Sequence, residues 1–157
     1  MKVVFRLARM DKVDLKILGC LRKNARETLT RISKVTGIPI SSTFDRLKRL
    51  EETGLIARHT SLLDMKKLGL SVRVFLLLKI DDSHKKEVER FLMENPQVNN
   101  LARIVGNWNL VAEVLFQDMK ELESFVEALG KDFKGIDFSV HHVLENLKSE
   151  TFLISYK

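Results

Sequence analysis

The run PISSTFDRLKRLEETGL, at residues 39–55, constrains the fold of this chain more than any other stretch. Apolar residues recur in it at every third position, namely Phe44, Leu47 and Leu50. This spacing predicts a short helix with one packed face, which Ser41 or Ser42 would cap and Gly54 would end. The other face carries hydroxyl and charged side chains, which suits insertion into a DNA major groove. An amphipathic surface helix with a solvated charged face is the alternative interpretation of this run alone.

Two shorter helices are expected before this run. Residues 11–24 carry a helical apolar stripe behind Asp11, a suitable cap, and residues 28–35 repeat the pattern. Residues 37–39 (GIP) then break the chain. Three helices with a short glycine-containing turn before the last one are typical of a helix-turn-helix domain. We expect residues 55–63 to be extended, as a wing or a hinge strand.

Positive charge is concentrated in the first part of the chain. Residues 1–67 contain 16 Lys and Arg against 7 Asp and Glu, whereas residues 68–157 contain 11 against 14. A basic module joined to a mildly acidic one indicates a nucleic-acid-binding domain followed by a domain with a different task. The sequence therefore predicts double-stranded DNA as a partner.

Composition argues against several other classes of protein. The single cysteine, Cys20, rules out an internal disulfide and a cysteine-built zinc site. No apolar run has the length required to cross a membrane, and the charged start of the chain does not match a secretory signal. We therefore expect a cytoplasmic protein, associated with the nucleoid through its DNA binding, with no cofactor, metal site or membrane partner.

The second half of the chain alternates strand and helix patterns. The expected elements are strands at 71–80, 98–105, 108–116 and 136–147, with helices at 82–94 and 118–130. Asp82 or Ser83 would cap the first of these helices, and Gly106 with Asn107 signals a hairpin between the second and third strands. The order βαββαβ predicts a ferredoxin-like sandwich with both helices on one sheet face. Because the first strand is nearly all apolar, on both of its faces, we expect a second copy of the chain to cover the other face.

These patterns carry a resemblance to a known family. The stretch ISSTFDRLKRLEETGLIARHTSLLDMKKLGL, at residues 40–70, resembles the recognition helix, wing and linker of the Lrp/AsnC (feast/famine) regulators. VDLKILGCLRKNAR, at residues 13–26, is similar to the family's first helix and following turn, and the match continues after the linker. The resemblance implies an α+β fold, an N-terminal winged helix-turn-helix followed by a ferredoxin-like effector and dimerisation domain. It also implies a DNA-binding transcriptional regulator and not an enzyme. Members of the family form homodimers and commonly octamers.

The expected domain boundaries follow from the same patterns. Residues 1–10 form an N-terminal arm or a short strand, and residues 11–58 form the winged helix-turn-helix. Residues 59–69 are the hinge or linker. Residues 70–157 form the effector-binding and dimerisation domain.

Two groups of side chains are the candidates for DNA contacts. Those expected to face the major groove are Ser42, Thr43, Asp45, Arg46 and Arg49, and Ser41 is a further candidate for DNA contact. Those expected to touch mainly phosphates are Lys48, Arg58 and Arg26. Arg46 has an alternative role, since an arginine in mid-helix can instead be held by a nearby acid.

The resemblance also identifies a candidate effector site. It places residues 105–110, VGNWNL, on the family's Gly-x-x-Asp loop, which helps to hold a small amino acid. The implied effector-binding residues are Gly106, Asn107, Trp108, Asn109 and Ser139. Asn109 stands in place of the carboxylate, so an ammonium group would bind there without a charged partner. A plain hairpin with Trp108 packed at an interface is the alternative.

Two other functions fit the same sequence. The first is a tetrapyrrole decarboxylase of haem biosynthesis with a related fold, which would use Arg58, His59, His141 or His142. The basic first half and the hydroxyl and guanidinium groups of the third helix argue against this enzyme. The second is an architectural DNA-wrapping protein, which would bind DNA with little sequence preference and multiply its sites by oligomerising.

Overall fold

The computed structural model describes residues 10–150, and its elements follow the predicted order. They are α1 (Lys12–Lys23), α2 (Leu29–Thr36), α3 (Ile40–Glu52), β1 (Val72–Lys79), α4 (Lys85–Glu94), β2 (Val98–Arg103), β3 (Leu110–Phe116), α5 (Met119–Asp132) and β4 (Asp137–His142). No helix in this part of the chain is long and apolar enough to span a membrane. The α+β class is therefore confirmed, and residues 1–9 of the predicted arm lie outside the described residues.

The described residues divide into two compact units. The first comprises residues 10–62 with 148–150, and the second comprises residues 63–147. Each unit has its own hydrophobic core. The division differs from the expected boundaries in assigning residues 59–62 and 148–150 to the first unit.

Caps and a small core define the helices of the first unit. The Asp11 carboxylate accepts hydrogen bonds from the backbone N–H groups of Val13 and Asp14, both at 2.9 Å, so the predicted cap of α1 is confirmed. Thr28 caps α2 by accepting from the Arg31 N–H at 3.3 Å. The buried core side chains are Ile17, Leu18, Ile32 and Leu50. Each of the three helices contributes to this core, which fixes the face that each one buries.

Helix α3 begins earlier than predicted. Its N-cap is Pro39, with φ −56° and ψ 151°, and no side chain among residues 10–150 caps the helix. The prediction that Ser41 or Ser42 caps α3 is wrong, because Pro39 already sets the backbone for helix entry and both serines lie in the first turn. Gly54 follows the end of the helix in the left-handed conformation, with φ 72°, which confirms the predicted C-terminus.

The packed face of α3 is rotated from the predicted one. Thr43 and Leu50 are buried and Leu47 is half-buried, but Phe44 is 51% exposed. The prediction that Phe44 packs into the core is therefore wrong. Residues 43, 47 and 50 share one side of a helix, at i, i+4 and i+7, whereas a strict three-residue spacing drifts around the helix axis.

The segment after α3 is irregular. Within the described chain no strand lies between α3 and β1, so residues 55–63 do not form the expected hinge strand. The Ile56 N–H donates to the Leu50 carbonyl at 3.0 Å, which ties the start of the segment to α3. Leu62 and Leu63 are exposed.

The second unit contains one antiparallel sheet with the strand order β2-β3-β1-β4. The hairpin predicted at Gly106 and Asn107 connects β2 with β3, and the βαββαβ order is confirmed. Strand β4 is shorter than the expected 136–147 and ends at His142.

The two helices of this unit differ from the predictions at one end each. The N-cap of α4 is His84 and not Asp82 or Ser83, because the Asp81 carboxylate accepts from the N–H groups of Ser83 and His84 and closes a turn before the helix. Helix α5 begins after Asp118 as expected. It continues past residue 130 to Asp132, so Gly130 does not end it.

Both helices cover the same face of the sheet. Their buried side chains share one core with alternate residues of the central strands: Val74, Leu76, Leu78, Val88, Leu92, Ala112, Val114, Leu122, Phe125 and Leu129. The intervening strand residues lie on the opposite face, where Phe75 and Glu113 are register partners. Phe75 is 39% exposed, so neither α4 nor α5 covers that face.

Candidate nucleic-acid interface and effector loop

The exposed face of α3 presents a line of polar side chains. Ser41, Asp45 and Lys48 follow one another at i, i+4 and i+7, and all three residues are exposed. Ser42 is half-buried beside this line. The structure thus brings four of the predicted DNA-contacting residues onto one surface, opposite the buried side of the helix.

Thr43 is not part of that surface. It is 0% exposed, and its hydroxyl donates to the Pro39 carbonyl at 3.0 Å. The prediction that Thr43 faces the groove is wrong, because the packed face of α3 passes through this position.

Arg46 takes the alternative role that an arginine in mid-helix can have. Its Nη1 donates to Asp11 Oδ2 at 2.7 Å and to Asp14 Oδ1 at 2.8 Å, and its side chain is only 30% exposed. Hydrogen bonds from its guanidinium to Asp11 and then Asp14 raise the pKa of Arg46. The hydrogen bond from the Asp14 backbone N–H, and to a lesser extent the hydrogen bond from Arg46, lowers the pKa of Asp11. The arginine therefore connects α3 to the start of α1, which is the alternative role expected for it.

Asp14 is the functional residue that sequence reasoning missed. It is 1% exposed and accepts hydrogen bonds from Arg46 and, at Oδ2, from Arg49 Nη2 at 2.7 Å. The available signal was its spacing, since Asp14 stands three and four residues before the core residues Ile17 and Leu18. The Arg49 side chain remains 52% exposed at the edge of the polar line, so Asp14 orients it without burying it.

The remaining predicted phosphate contacts lie in two places. Lys48 Nζ is 3.7 Å from Glu52 Oε1, an exposed i,i+4 pair that constrains the lysine little. Arg26 and Arg58 are both exposed and line the same cleft of the first unit, with a volume of about 820 Å³. The basic turn and the segment after α3 therefore each contribute an arginine to the lining of this cleft.

Asn109 has a structural role in the hairpin. Its side-chain oxygen accepts from the Ile80 N–H at 3.0 Å, and its amide nitrogen donates to the Ile80 carbonyl at 2.5 Å. Its own N–H donates to the Leu78 carbonyl at 3.0 Å, and its carbonyl accepts from the Ile104 N–H at 3.0 Å. Both ends of the amide side chain thus hold the hairpin against the end of β1. The expected contact between this amide and an effector conflicts with these bonds.

The other predicted effector residues are arranged along the same sheet. Gly106 and Asn107 are exposed at the tip of the hairpin, with φ +146° at the glycine, and Trp108 is half-buried. Ser139 lies in β4 as the register partner of Leu77, and its hydroxyl is 2.9 Å from His141 Nε2.

The groups that an enzyme of this fold would need show ordinary structural contacts. His59 Nε2 is 2.9 Å from Glu51 Oε1 in the first unit, and His141 contacts Ser139 in the second. Burial raises the pKa of the Cys20 thiol, which disfavours the nucleophilic thiolate. Among residues 10–150, no three His, Cys, Asp or Glu side chains are grouped to hold a metal ion.

A second buried acid lies on the sheet face away from α4 and α5. Glu113 is 6% exposed and is paired with Arg73, and it also accepts from Asn99 at 2.8 Å and from Asn100. Sequence reasoning missed this cluster, although an acid within the apolar run LVAEVLF was its signal.

Comparisons with known proteins agree with this geometry. A model described as winged helix-turn-helix DNA-binding matches residues 10–57, and the Lrp/AsnC ligand binding domain model matches residues 73–153. The chain is 28% identical over 142 residues to the HTH-type transcriptional regulator FL11 of Pyrococcus furiosus, which covers 90% of this chain and 93% of the relative. An uncharacterized HTH-type transcriptional regulator of Pyrococcus abyssi is 32% identical over 145 residues, which covers 90% and 97%.

Solved structures give the same result. The complex of a transcriptional regulator from Neisseria meningitidis with L-Met has a TM-score of 0.85 at 26% identity, covering 90% of this chain and 94% of that one. A helix-turn-helix unit followed by a ferredoxin-like ligand-binding unit defines a two-domain, DNA-binding transcriptional regulator. The chain belongs to the Lrp/AsnC family, as the resemblance of its sequence predicted.

Proposed function

We propose that this regulator reads a specific DNA site by placing the exposed face of α3 in the major groove. The polar line Ser41, Asp45 and Lys48, with Arg49 at its edge, is the observation that supports the proposal. Hydroxyl, carboxylate and guanidinium groups are the side-chain types that discriminate base edges. The basic balance of residues 1–67 adds a sequence-independent attraction to phosphates, to which Arg26, Lys48 and Arg58 contribute.

Ser42 and Arg49 complete the proposed groove surface, whereas Thr43 and Arg46 act from behind it. Thr43 packs within the unit and Arg46 holds α3 to α1, so both fix the orientation of the helix that does the reading. Binding to chromosomal DNA would place the protein in the cytoplasm, at the nucleoid.

A homodimer is the assembly that suits this task. The sheet face away from α4 and α5 exposes Phe75 beside half-buried Leu77 and Val111, and the central strands are apolar along most of their length. Burial of such a face against a second copy is favourable at about 25 cal/mol per Å² of apolar surface. A two-fold dimer would present two α3 helices to two half-sites on one side of the duplex, and octamers would follow from further contacts between dimers.

An amino acid is the class of effector that we propose. The Neisseria meningitidis relative was solved with L-Met, and this chain carries the same type of ligand-binding domain. Exposed backbone N–H groups around Gly106 and Asn107 are suited to an α-carboxylate. Trp108 and Ser139 are the other side chains proposed for this site. The Asn109 amide is engaged with Ile80, so it would shape the loop and would not bind the ammonium group.

A mobility-shift titration tests the proposal. Purified full-length protein is titrated against duplex DNA from the region upstream of its own gene and against a scrambled duplex of equal length, with and without a mixture of the standard amino acids. Preference for the upstream duplex is expected, and a shift of the titration midpoint by amino acids would support the effector. Equal binding to both duplexes would indicate an architectural protein instead, and no binding to either would contradict the proposal.

The assembly is measured on the same preparation. Light scattering should give the mass of a dimer or of a multiple of the dimer. A monomeric mass at the concentrations that shift DNA would contradict the role proposed for the open sheet face.

A further inference from the structure

The exposed face of α3 also carries an apolar surface that the packing of the unit does not use. Ile40 is 48% exposed and Phe44 is 51% exposed. They stand one helical turn apart, at i and i+4, so their side chains are neighbours. The core of the first unit is closed by Ile17, Leu18, Ile32 and Leu50 without either of them. A large aromatic side chain half in water therefore lies where a packed residue was predicted.

This apolar surface adjoins the polar line of the helix. Phe44 is three residues after Ser41 and four before Lys48, and both of those neighbours are exposed. Ile40 is the first residue of α3. In helix-turn-helix proteins the N-terminal residues of the recognition helix are the ones that contact base edges. Whatever contacts Ser41 and Lys48 in the groove must therefore also meet Phe44.

The DNA major groove offers one apolar group for such a side chain. Each base pair presents hydrogen-bond donors and acceptors there, and only thymine adds a methyl group, at C5. We propose that Ile40 and Phe44 form a contact surface for thymine methyl groups, so that the operator carries thymine where the N-terminal half of α3 lies. The inference rests on the proposed DNA binding by α3 and adds the base that one part of the helix recognises.

A protein partner is the other kind of molecule that an exposed Phe and Ile could bind. The patch is small, and it is continuous with a polar and cationic line that includes Lys48, on a unit whose sequence is strongly basic. Those surroundings suit a polyanion with apolar groups recessed in a groove better than they suit an apolar protein surface, since charged residues are depleted at the centre of protein interfaces.

Removal of the methyl group alone tests the proposal. A tight-binding duplex is selected from a random pool with the full-length protein, and deoxyuridine then replaces thymine within the selected motif. Uracil pairs as thymine does but lacks the C5 methyl group. Wild-type affinity should fall about four-fold for each methyl group in contact, the factor expected for burial of one methyl-sized group. Deoxyuridine placed in the flanking sequence should have no effect.

The Phe44→Ala variant, tested on both the thymine and the uracil duplex, shows whether Phe44 is the side chain that contacts the methyl group. It should bind the thymine duplex about as weakly as the wild type binds the uracil duplex, and it should not distinguish the two duplexes. Ile40→Ala should show the same insensitivity to a smaller extent. Met119→Ala is the matched control, since Met119 is also an exposed first residue of a helix, at 48%, but lies in α5. The control should retain the full preference for thymine.

Salt dependence separates this contact from a phosphate contact. The thymine-to-uracil ratio should be the same at low and high salt, because no charge is involved, whereas phosphate contacts weaken as salt increases. Equal wild-type affinity for the thymine and uracil motifs would overturn the methyl contact while leaving DNA binding by α3 intact. Failure to select any duplex would instead contradict the proposed function itself.

Discussion

Replacement of Arg46 by methionine tests whether one buried carboxylate holds the DNA-binding unit together. Asp14 is 1% exposed and is bonded by Arg46 at 2.8 Å and by Arg49 at 2.7 Å. Methionine keeps an unbranched apolar stem but removes the guanidinium, so the buried carboxylate retains one cation, Arg49, and the Asp11 backbone N–H at 3.3 Å. Removal of one partner from a fully buried ion pair costs about 3–5 kcal/mol. Because Arg46 is 30% exposed and one cation remains, we expect a loss of about 2 kcal/mol.

Two optical probes measure this loss in full-length protein during guanidinium unfolding. Far-UV circular dichroism follows the helices of both units. Fluorescence follows Trp108, the single tryptophan, which lies in the second unit. The expected result for Arg46→Met is a transition at lower denaturant in circular dichroism with an unchanged Trp108 transition.

Lys48→Met is the matched control for this experiment. Lys48 lies on the same helix, is exposed, and forms a 3.7 Å surface pair with Glu52. Its replacement should change the free energy of unfolding by less than about 0.5 kcal/mol. Equal losses for the two variants would refute the role assigned to Arg46, and a matching shift of the Trp108 transition would refute its restriction to the first unit.

Three further substitutions probe other contacts. Asn109→Ala should lower the free energy of unfolding of the second unit by about 2 kcal/mol, because two partly buried backbone groups lose their partners. Tryptophan fluorescence during denaturation measures this loss, and Asn107→Ala should leave the midpoint unchanged. Hydrogen bonds from the Ser83 hydroxyl and then from His84 lower the pKa of Asp81 from 3.8 to about 2. The ionised Asp81 carboxylate therefore stabilises the fold above about pH 4, and this stabilisation is lost as the pH falls toward about 2. Wild-type stability should therefore fall more steeply between about pH 4 and pH 2 than that of Asp81→Asn, and parallel curves would contradict the assignment. Arg49→Lys should change stability by less than about 1 kcal/mol but reduce the preference for specific over scrambled DNA, because an ammonium lacks the fork of donors; an unchanged preference in a mobility-shift titration would contradict it.

Local patterns in the sequence were sufficient to predict the order of the elements. The cap at Asp11, the left-handed Gly54 and the hairpin at Gly106 are determined by short-range backbone chemistry, and all three are confirmed. The nearly continuous run of apolar and β-branched residues in β1 likewise favours a strand without information from distant residues.

The rotation of α3 depended on information that its own spacing does not contain. Phe44 and Thr43 are adjacent, and either one places Leu47 and Leu50 near the packed side of a helix. The structure selects Thr43, whose hydroxyl is satisfied within its own helix, and leaves the larger apolar side chain exposed. Since the sequence favours an apolar residue at a packed position, this choice could be seen only in the structure.

The buried acids show the same dependence on distant partners. Asp14 is 32 residues from Arg46 and 35 from Arg49, and Glu113 is paired with Arg73 on another strand. A charge in an apolar stripe signals that something must neutralise it, but the stripe does not identify the partner. The sequence could therefore predict that α3 carries candidate DNA-contacting residues. It could not distinguish Arg49, which is proposed to contact a base, from Arg46, which connects α3 to α1.

The Asp14 carboxylate, which Arg46 and Arg49 share, explains how α3 can both attach to α1 and present an arginine on its exposed face. Asp14 Oδ1 accepts from Arg46, which lies toward α1, while Asp14 Oδ2 accepts from a single Nη2 of Arg49. An arginine has five N–H donors in a fixed fork, so this bond restrains the guanidinium and leaves other donors for a base edge. A restrained side chain loses less conformational entropy when it binds. We therefore expect Asp14 to act on recognition through Arg49, the arginine proposed to contact a base. The same buried carboxylate restrains the direction of that arginine.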